Sequence, residues 1–457
     1  MSISMNSKIS KLLINSSILS LPGILSIILS LISIPIHLNV AGVENYGNYI
    51  IFHFLLIIST VLNFGIGKSI TVSINNFPKK NKEICYQGIK YTFYVSLISI
   101  SLLIILFNFN QLFWIYKIVD AFLIIYLLFG IFLSVLYSSL EGIFQGNQKF
   151  KSLSFFNFLY FSLSLSLPSI ILIFNKSLSL KELIIFSLII KFVSIIFMFF
   201  LIFKNDLISR SSSQILFINL KNNARWLTLN NILIHFYDLL DKYLVKIFLG
   251  PIAIATYSIP QQLTGKLSIL SKGFSAYLLT NLSRKNHDNV SFNFSLKIFL
   301  KIIPIFVFLL FPLYEFFLNF WLRNEYNQNI LVLTKIFSLC AIFSCASHLL
   351  ITKFEASKTL NKNLKIEFFL MPFFLVSLYY FTSNKFSLIE ISYLILFKEV
   401  ILLIFRLYIL KKIIENIIKF YLYIIFFIST LYISINFENF FFIVLIFIII
   451  GNFVKND

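Results

Sequence analysis

Cysteine is almost absent from this chain: Cys85, Cys340 and Cys345 are the only three in 457 residues. None has a metal-ligand spacing or a histidine cluster beside it, so neither a disulfide framework nor a metal site is expected, and no redox chemistry is implied. Charge is also scarce, at 12% of residues, and the acidic sign is the rarer, 18 Asp and Glu against 38 Lys and Arg. There is no Walker loop, dinucleotide fingerprint or His-Glu-x-x-His stretch, and no soluble segment to host a catalytic triad. These absences argue against an enzyme and against ATP hydrolysis within the chain, and no cofactor is expected.

What is present is apolar. Hydrophobic residues make up 59% of the chain, with mean hydropathy +0.91, a surplus too large and too evenly spread for a soluble core. The solvent is a bilayer. Heavy use of Phe, Ile, Asn and Lys fits an AT-rich coding bias and carries no functional weight. The net charge of +20 lies in short runs between apolar segments rather than in a basic domain, so it is a topology signal and no nucleic-acid partner is expected. The first apolar stretch, Leu12 to Leu38, is too long for a signal-peptide core and is followed by no small-residue cleavage site, which makes it an uncleaved span.

A span needs roughly 20 apolar residues. That rule predicts helices over 12–38, 49–74, 86–107, 119–143, 153–174 and 183–203, then 227–249, 254–282, 293–318, 330–353, 366–382 and 388–409. Two tighter candidates follow at 418–436 and 439–453. The total is fourteen, or twelve if the tail is a re-entrant pair. Basic charge falls on every second loop: Lys79/Lys80/Lys82, Lys149/Lys151, Lys204/Arg210/Lys221/Arg225, Arg284/Lys285, Lys353/Lys358/Lys362/Lys365 and Arg406/Lys411/Lys412/Lys419. By the positive-inside rule those loops and both termini are expected on the cytoplasmic side.

Two stretches match across the chain. Gly42 precedes Tyr49 by seven residues as Gly250 precedes Tyr257, and Gln145-Gly146 to Lys149 has a looser counterpart in Glu355-Ala356 to Lys358, both roughly 210 residues on. The expected fold is therefore an all-α polytopic membrane protein of two six-helix repeats, 1–210 and 211–412, with an additional helix pair at 413–457. Because six is even, the repeats run parallel, about an axis along the membrane normal, the arrangement of transporters that bind at a repeat interface near the bilayer midplane.

The seventh span carries Asn231, His235, Asp238, Lys242 and Lys246 at helical spacing, with Asp241 at the edge of that stripe. Centrally placed ionisable groups cost roughly 2.5–3.5 kcal/mol each on insertion scales, so the stripe is expected to face a cavity. An Asp238–Lys242 pair at i,i+4 that only holds helices together is the plainer alternative. Span eight adds Ser258, Gln262, Lys266 and Gly273 on one face with Lys272 off it. Span two adds His53, Lys68, Thr71 and Asn75; span one adds Pro22, Ser26, Ser33 and His37. The first two helices of each half are thus expected to line a central cavity. Its substrate-binding candidates are Lys68, Lys242, Lys266 and Lys272, and its ion-coupling candidates are Asp238, Asp241 and His235. For Lys68 and Lys272, snorkelling at the cytoplasmic end remains an open alternative. His37, His53 and His348 are read as satisfied interior histidines. Pro22, Pro168, Pro260, Pro304 and Pro312 are expected to break the backbone ladder and bend their helices.

Four segments carry a family resemblance: Leu38 to Tyr49 with Leu62-Asn-Phe-Gly65-Ile-Gly67; Glu141-Gly142 to Phe150; Asp241-Lys242-Tyr243 to Gly250; and Gly250-Pro251 to Tyr257-Ser258. In these the chain resembles the polysaccharide-export branch of the multidrug/oligosaccharidyl-lipid/polysaccharide (MOP) superfamily, specifically O-antigen or repeat-unit flippases of the Wzx type. The motifs are short and drifted, and Ala255 stands where the family often has Gly. The resemblance implies a MATE-like architecture in a bacterial inner membrane and a flippase for undecaprenyl-pyrophosphate-linked oligosaccharide. It also implies a repeat-unit polymerase and a chain-length regulator as partners. A cation-coupled multidrug antiporter and a lipid II flippase share that architecture; a non-transporting scaffold for glycan synthesis is the reading outside transport.

Overall fold

The structure is a computed structural model and describes residues 2–56, 63, 65–108, 121–209, 226–230, 233, 240–283, 289–323, 326–357 and 359–410. Within lipid every backbone N–H and C=O must be satisfied inside the segment, which leaves helices as the solution for apolar runs of this length. The first half supplies α1 (Ser2–Ala41), α2 (Val43–Leu55), α3 (Ile66–Asn76), α4 (Asn81–Asn108), α5 (Ala121–Gly146), α6 (Phe150–Ile171) and α7 (Leu180–Lys204). The second supplies α8 (Pro251–Gly265), α9 (Ser268–Leu282), α10 (Asn289–Leu322), α11 (Gln328–Ala356), α12 (Leu360–Ser383) and α13 (Leu388–Ile409), preceded by helical residues at 226–230 and 240–249. Among the described residues there is no strand. Among the described residues seven helices are long and apolar enough to cross a membrane: α1, α5, α6, α7, α10, α11 and α12, some trimmed at their ends. The expected tail helices at 418–436 and 439–453 lie outside the described residues, as do Asn231, His235 and Asp238.

The two halves share their punctuation. Gly42 (φ 85°) and Gly250 (φ 92°) take backbone angles that side-chain-bearing residues rarely adopt, and each opens the next helix. Ser179 caps α7 and Ser387 caps α13, each accepting from the backbone N–H of a glutamate three residues on, Glu182 or Glu390, whose carboxylate accepts from the serine N–H in return. Gly250 follows Gly42, and Ser387 follows Ser179, at one interval of 208 residues. In the first half α5 packs against α3, α4, α6 and α7; in the second, α11 packs against α8, α9, α10 and α13.

Two expected spans are not single helices. Span 49–74 is divided into α2 and α3, with Gly65 in the left-handed region (φ 61°) and its N–H donating to the Asn63 side chain at 2.9 Å. Span 254–282 is divided into α8 and α9 at Lys266 and Leu267. None of the prolines makes these breaks. α1 runs on through Pro22 and Pro35, α6 through Pro168, α8 through Pro260 and α10 through Pro304 and Pro312. The Pro22 carbonyl accepts from Ser162 Oγ at 3.0 Å, inside a π turn of α6 at Phe158–Leu163, which joins α1 to α6.

The halves meet chiefly where α1 packs along α9 and α2 along α8. Lipid offers no hydrophobic drive between helices, so this seam depends on small residues and interhelical hydrogen bonds. A Cβ on Gly273 of α9 would sit 2.1 Å from Ser20 Oγ and 2.8 Å from the Ser16 carbonyl of α1, so only glycine permits this approach. Trp321 Nε1 of α10 donates to the Leu31 carbonyl of α1 at 2.8 Å, and Gln145 Nε2 of α5 donates to the Ala276 carbonyl of α9 at 2.8 Å.

Candidate functional site

Two cavities share a wall at the break between α8 and α9. Gln262, Gly265 and Lys272 line both.

The first, about 420 Å³, lies within the second half. Asp241 lines it, buried at 3% exposure. One carboxylate oxygen accepts from Tyr257 Oη at 2.9 Å and from Gln261 Nε2 at 3.2 Å, one helical turn apart on α8. The other accepts from the Lys242 backbone N–H at 2.7 Å and lies 3.5 Å from Lys242 Nζ. Across the cavity Arg406 of α13 pairs with Glu367 of α12, and its Nε donates to Asn363 Oδ1 at 2.9 Å. Asn363 Nδ2 donates in turn to Asn230 Oδ1 at 2.7 Å, and all four side chains are buried. Lys398 pairs with Glu399 at 2.9 Å and lies over the Phe374 ring. The cavity is therefore not simply cationic: each of its three carboxylates, Asp241, Glu367 and Glu399, faces a cation of its own.

The second cavity, about 560 Å³, lies between the halves. Leu19, Pro22, Ser26, His53, Glu141, Asn157 and Ser162 line it from the first half, and Lys266, Lys272 and Gly273 from the second. Lys266 stands where the helix is interrupted, and its Nζ donates to Ser26 Oγ at 2.6 Å. Neither Lys266 nor Lys272 forms an ion pair among the described residues. Glu141 is the carboxylate on this wall, beside Asn157, whose Oδ1 also accepts from Tyr137 Oη.

Of the residues expected to bind substrate, Lys242, Lys266 and Lys272 thus line these cavities. Lys68 does not; it reaches from α3 to Glu355 of α11 at 2.5 Å and ties the two halves together. Of the ion-coupling candidates, Asp241 is in place, with Asp238 and His235 outside the described residues. His37 and His53 are only partly satisfied: His37 Nδ1 lies 2.9 Å from Ser169 Oγ, while Nε2 of both is buried without a hydrogen-bond partner. Lys191 is buried with its ammonium 5.2 Å from the Tyr160 ring centroid.

Sequence reasoning passed over Glu367, Lys398 and Glu399, and it placed Arg406 and Lys353 in cytoplasmic loops. Arg406 is instead 3% exposed within α13, and Lys353 is 4% exposed within α11, over the Phe292 ring. A signal was available: Asn363 and Glu367 are one turn apart, and Glu399 and Arg406 two turns apart, each pair on one helical face.

No protein-family model matches the sequence, and no curated protein matches it. Solved structures do. The chain is similar to the Vibrio cholerae MATE transporter VcmN in its bent form, at TM-score 0.66 and 15% identity over 92% of this chain and 99% of that one. It is similar to a multidrug resistance MATE family transporter of the MOP superfamily in an outward-facing conformation, at TM-score 0.64 and 15% identity over 87% and 95% of the two chains. It is also similar to a MOP superfamily transporter from Pyrococcus furiosus, described as having a binding pocket of reversed polarity, at TM-score 0.62 and 13% identity over 87% and 95%. The fold is that of MATE-like transporters, an all-helical multi-pass membrane architecture.

Proposed function

We propose that the chain is a flippase that moves an anionic, lipid-linked oligosaccharide, of the undecaprenyl-pyrophosphate class, from the inner to the outer leaflet of a bacterial cytoplasmic membrane for surface polysaccharide assembly. The observation that carries this is the pair Lys266 and Lys272 on the seam between the halves. Three cations of the first cavity are matched by carboxylates, whereas these two, Lys272 lining both cavities, are not, and among the described residues the wall between the halves sets Glu141 against them. An ammonium within the bilayer that has no fixed counter-charge is costly unless a ligand supplies one, and a pyrophosphate does so with several acceptor oxygens. The lipid tail stays in the bilayer while the head crosses between 1–210 and 211–412 acting as lobes.

The multidrug alternative would favour unpaired carboxylates for a cationic cargo; Asp241, Glu367 and Glu399 are each paired, and Glu141 on the seam faces two lysines, Lys266 and Lys272. Asp241, held by Tyr257 and Gln261, is the candidate for coupling to an ion gradient, with Asp238 and His235 on the same segment. Both termini are assigned to the cytoplasm, with a repeat-unit polymerase and a chain-length regulator as partners.

Reconstitution in liposomes tests this. Purified protein is expected to transfer a fluorescent prenyl-pyrophosphate oligosaccharide between leaflets and to leave a cationic dye in place. Dye efflux without lipid transfer would move the chain to the drug antiporters.

A further inference from the structure

On the outer side of the second half, away from both cavities, α12 and α13 leave a groove of about 320 Å³. Its walls are Ile366, Phe369, Phe405 and Ile409, and Lys362 and Lys365 stand at one end. Phe369 is 63% exposed and Phe405 42%. The two lysines are three residues apart on α12 and so share a helical face. Both are exposed, and neither has an ion-pair partner among the described residues. They stand in the first turns of α12, the end assigned to the cytoplasm by the alternation of basic loops.

An apolar furrow closed at the membrane boundary by two unpaired ammonium groups complements a molecule with a phosphate at one end and a hydrocarbon chain at the other. Free phosphate would leave the aromatic walls unused. A zwitterionic lipid brings its own cation to the lysines and loses most of the attraction. Basic pockets between membrane helices on the cytoplasmic side take anionic lipid headgroups for this reason.

We propose that this groove is a binding site for an anionic glycerophospholipid of the inner leaflet, with its phosphate on Lys362 and Lys365 and an acyl chain across Phe369 and Phe405. The site goes beyond the transport substrate and stands whether or not that assignment holds. It also adjoins the charged cavity. Ile366 is followed by Glu367 and Phe405 by Arg406, so the lipid braces from outside the two helices that the Arg406–Glu367 pair joins from inside.

The test is lipid retention. Full-length protein is placed in nanodiscs of equal phosphatidylglycerol and phosphatidylcholine, delipidated gently, and its remaining lipids are identified by native mass spectrometry. Wild type is expected to keep phosphatidylglycerol over phosphatidylcholine on the order of tenfold. K362Q/K365Q is expected to keep the two equally, and K362R/K365R to restore the preference. Equal retention by wild type, or a preference that survives K362Q/K365Q, would overturn the proposal. So would displacement of phosphatidylglycerol by an equimolar polyprenyl phosphate, which would assign the groove to a different lipid.

Discussion

At an interval of 208 residues the two halves place related side chains in the same positions and use them differently. Tyr257 donates its hydroxyl to Asp241; Tyr49, its counterpart, donates to the Leu165 carbonyl at 2.8 Å. Gln261 also donates to Asp241, whereas His53 at the matching place keeps a buried nitrogen without a partner. Ser33 stands opposite Asp241, and Met198 opposite Arg406, all four buried. The backbone plan is repeated while the charge is not. Matched positions can be neutral in one half and charged in the other because helix packing in lipid asks for small residues and satisfied backbone, not for particular ionisable groups.

The way to break this contrast hardest is to make the second half resemble the first at Arg406. Arg406→Met leaves Glu367 and Asn363 buried without their cation and is expected to destabilise the protein by about 3–5 kcal/mol, the usual result of removing one partner of a buried pair. Met198→Leu at the counterpart is expected to cost under about 1.5 kcal/mol. Denaturation followed by fluorescence in detergent checks both. A second Met at Glu367 is expected to recover most of the loss.

The seam gives the next effect. Gly273→Val forces α9 away from Ser16 and Ser20 and is expected to cost about 1–3 kcal/mol, read in the same unfolding experiment. Lys266→Ala, by contrast, is expected to lower lipid transfer at least tenfold while costing only about 1 kcal/mol in unfolding for its lost hydrogen bond to Ser26. Asp241→Ser converts the coupling position to its first-half counterpart. It is expected to abolish any dependence of transfer on an imposed ion gradient, while Ser33→Ala leaves that dependence intact.

The smallest effect sharpens the likeness rather than the difference. Ser179→Ala and Ser387→Ala remove equivalent exposed caps, and each is expected to cost about 1 kcal/mol, the two agreeing within error.

Much of this was legible in the sequence, for reasons that residues make plain. Apolar run length located the helices, since a bilayer leaves few other structures open, and Gly42 and Gly250 revealed the duplication because their backbone angles demand glycine. The breaks at Gly65 and Lys266 were not legible. Both lie inside apolar runs: Gly65 turns in the left-handed region close to Leu227 and Thr228, whereas Gly265, beside Lys266, has open space before it. Prolines did not mark these breaks, since α1, α6, α8 and α10 run on through theirs. Arg406 was misplaced because a basic residue near a span's end has the same spelling in a loop as in the last turn of a buried helix. Only Glu367 and Asn363, brought alongside by α12, distinguish the two. The capping boxes at Ser179 and Ser387 were readable and passed over.

The central claim is that the seam between the two halves recognises an anionic head through Lys266 and Lys272. The most direct measurement is the initial transfer rate, in proteoliposomes, of one oligosaccharide carried on prenyl pyrophosphate, prenyl monophosphate or an uncharged prenyl ether, for wild type and for K266A/K272A. The account predicts rates that fall in that order for wild type and a much flatter series for the variant. A steep series that persists in K266A/K272A, or an uncharged lipid carried as fast as the pyrophosphate by wild type, would contradict it.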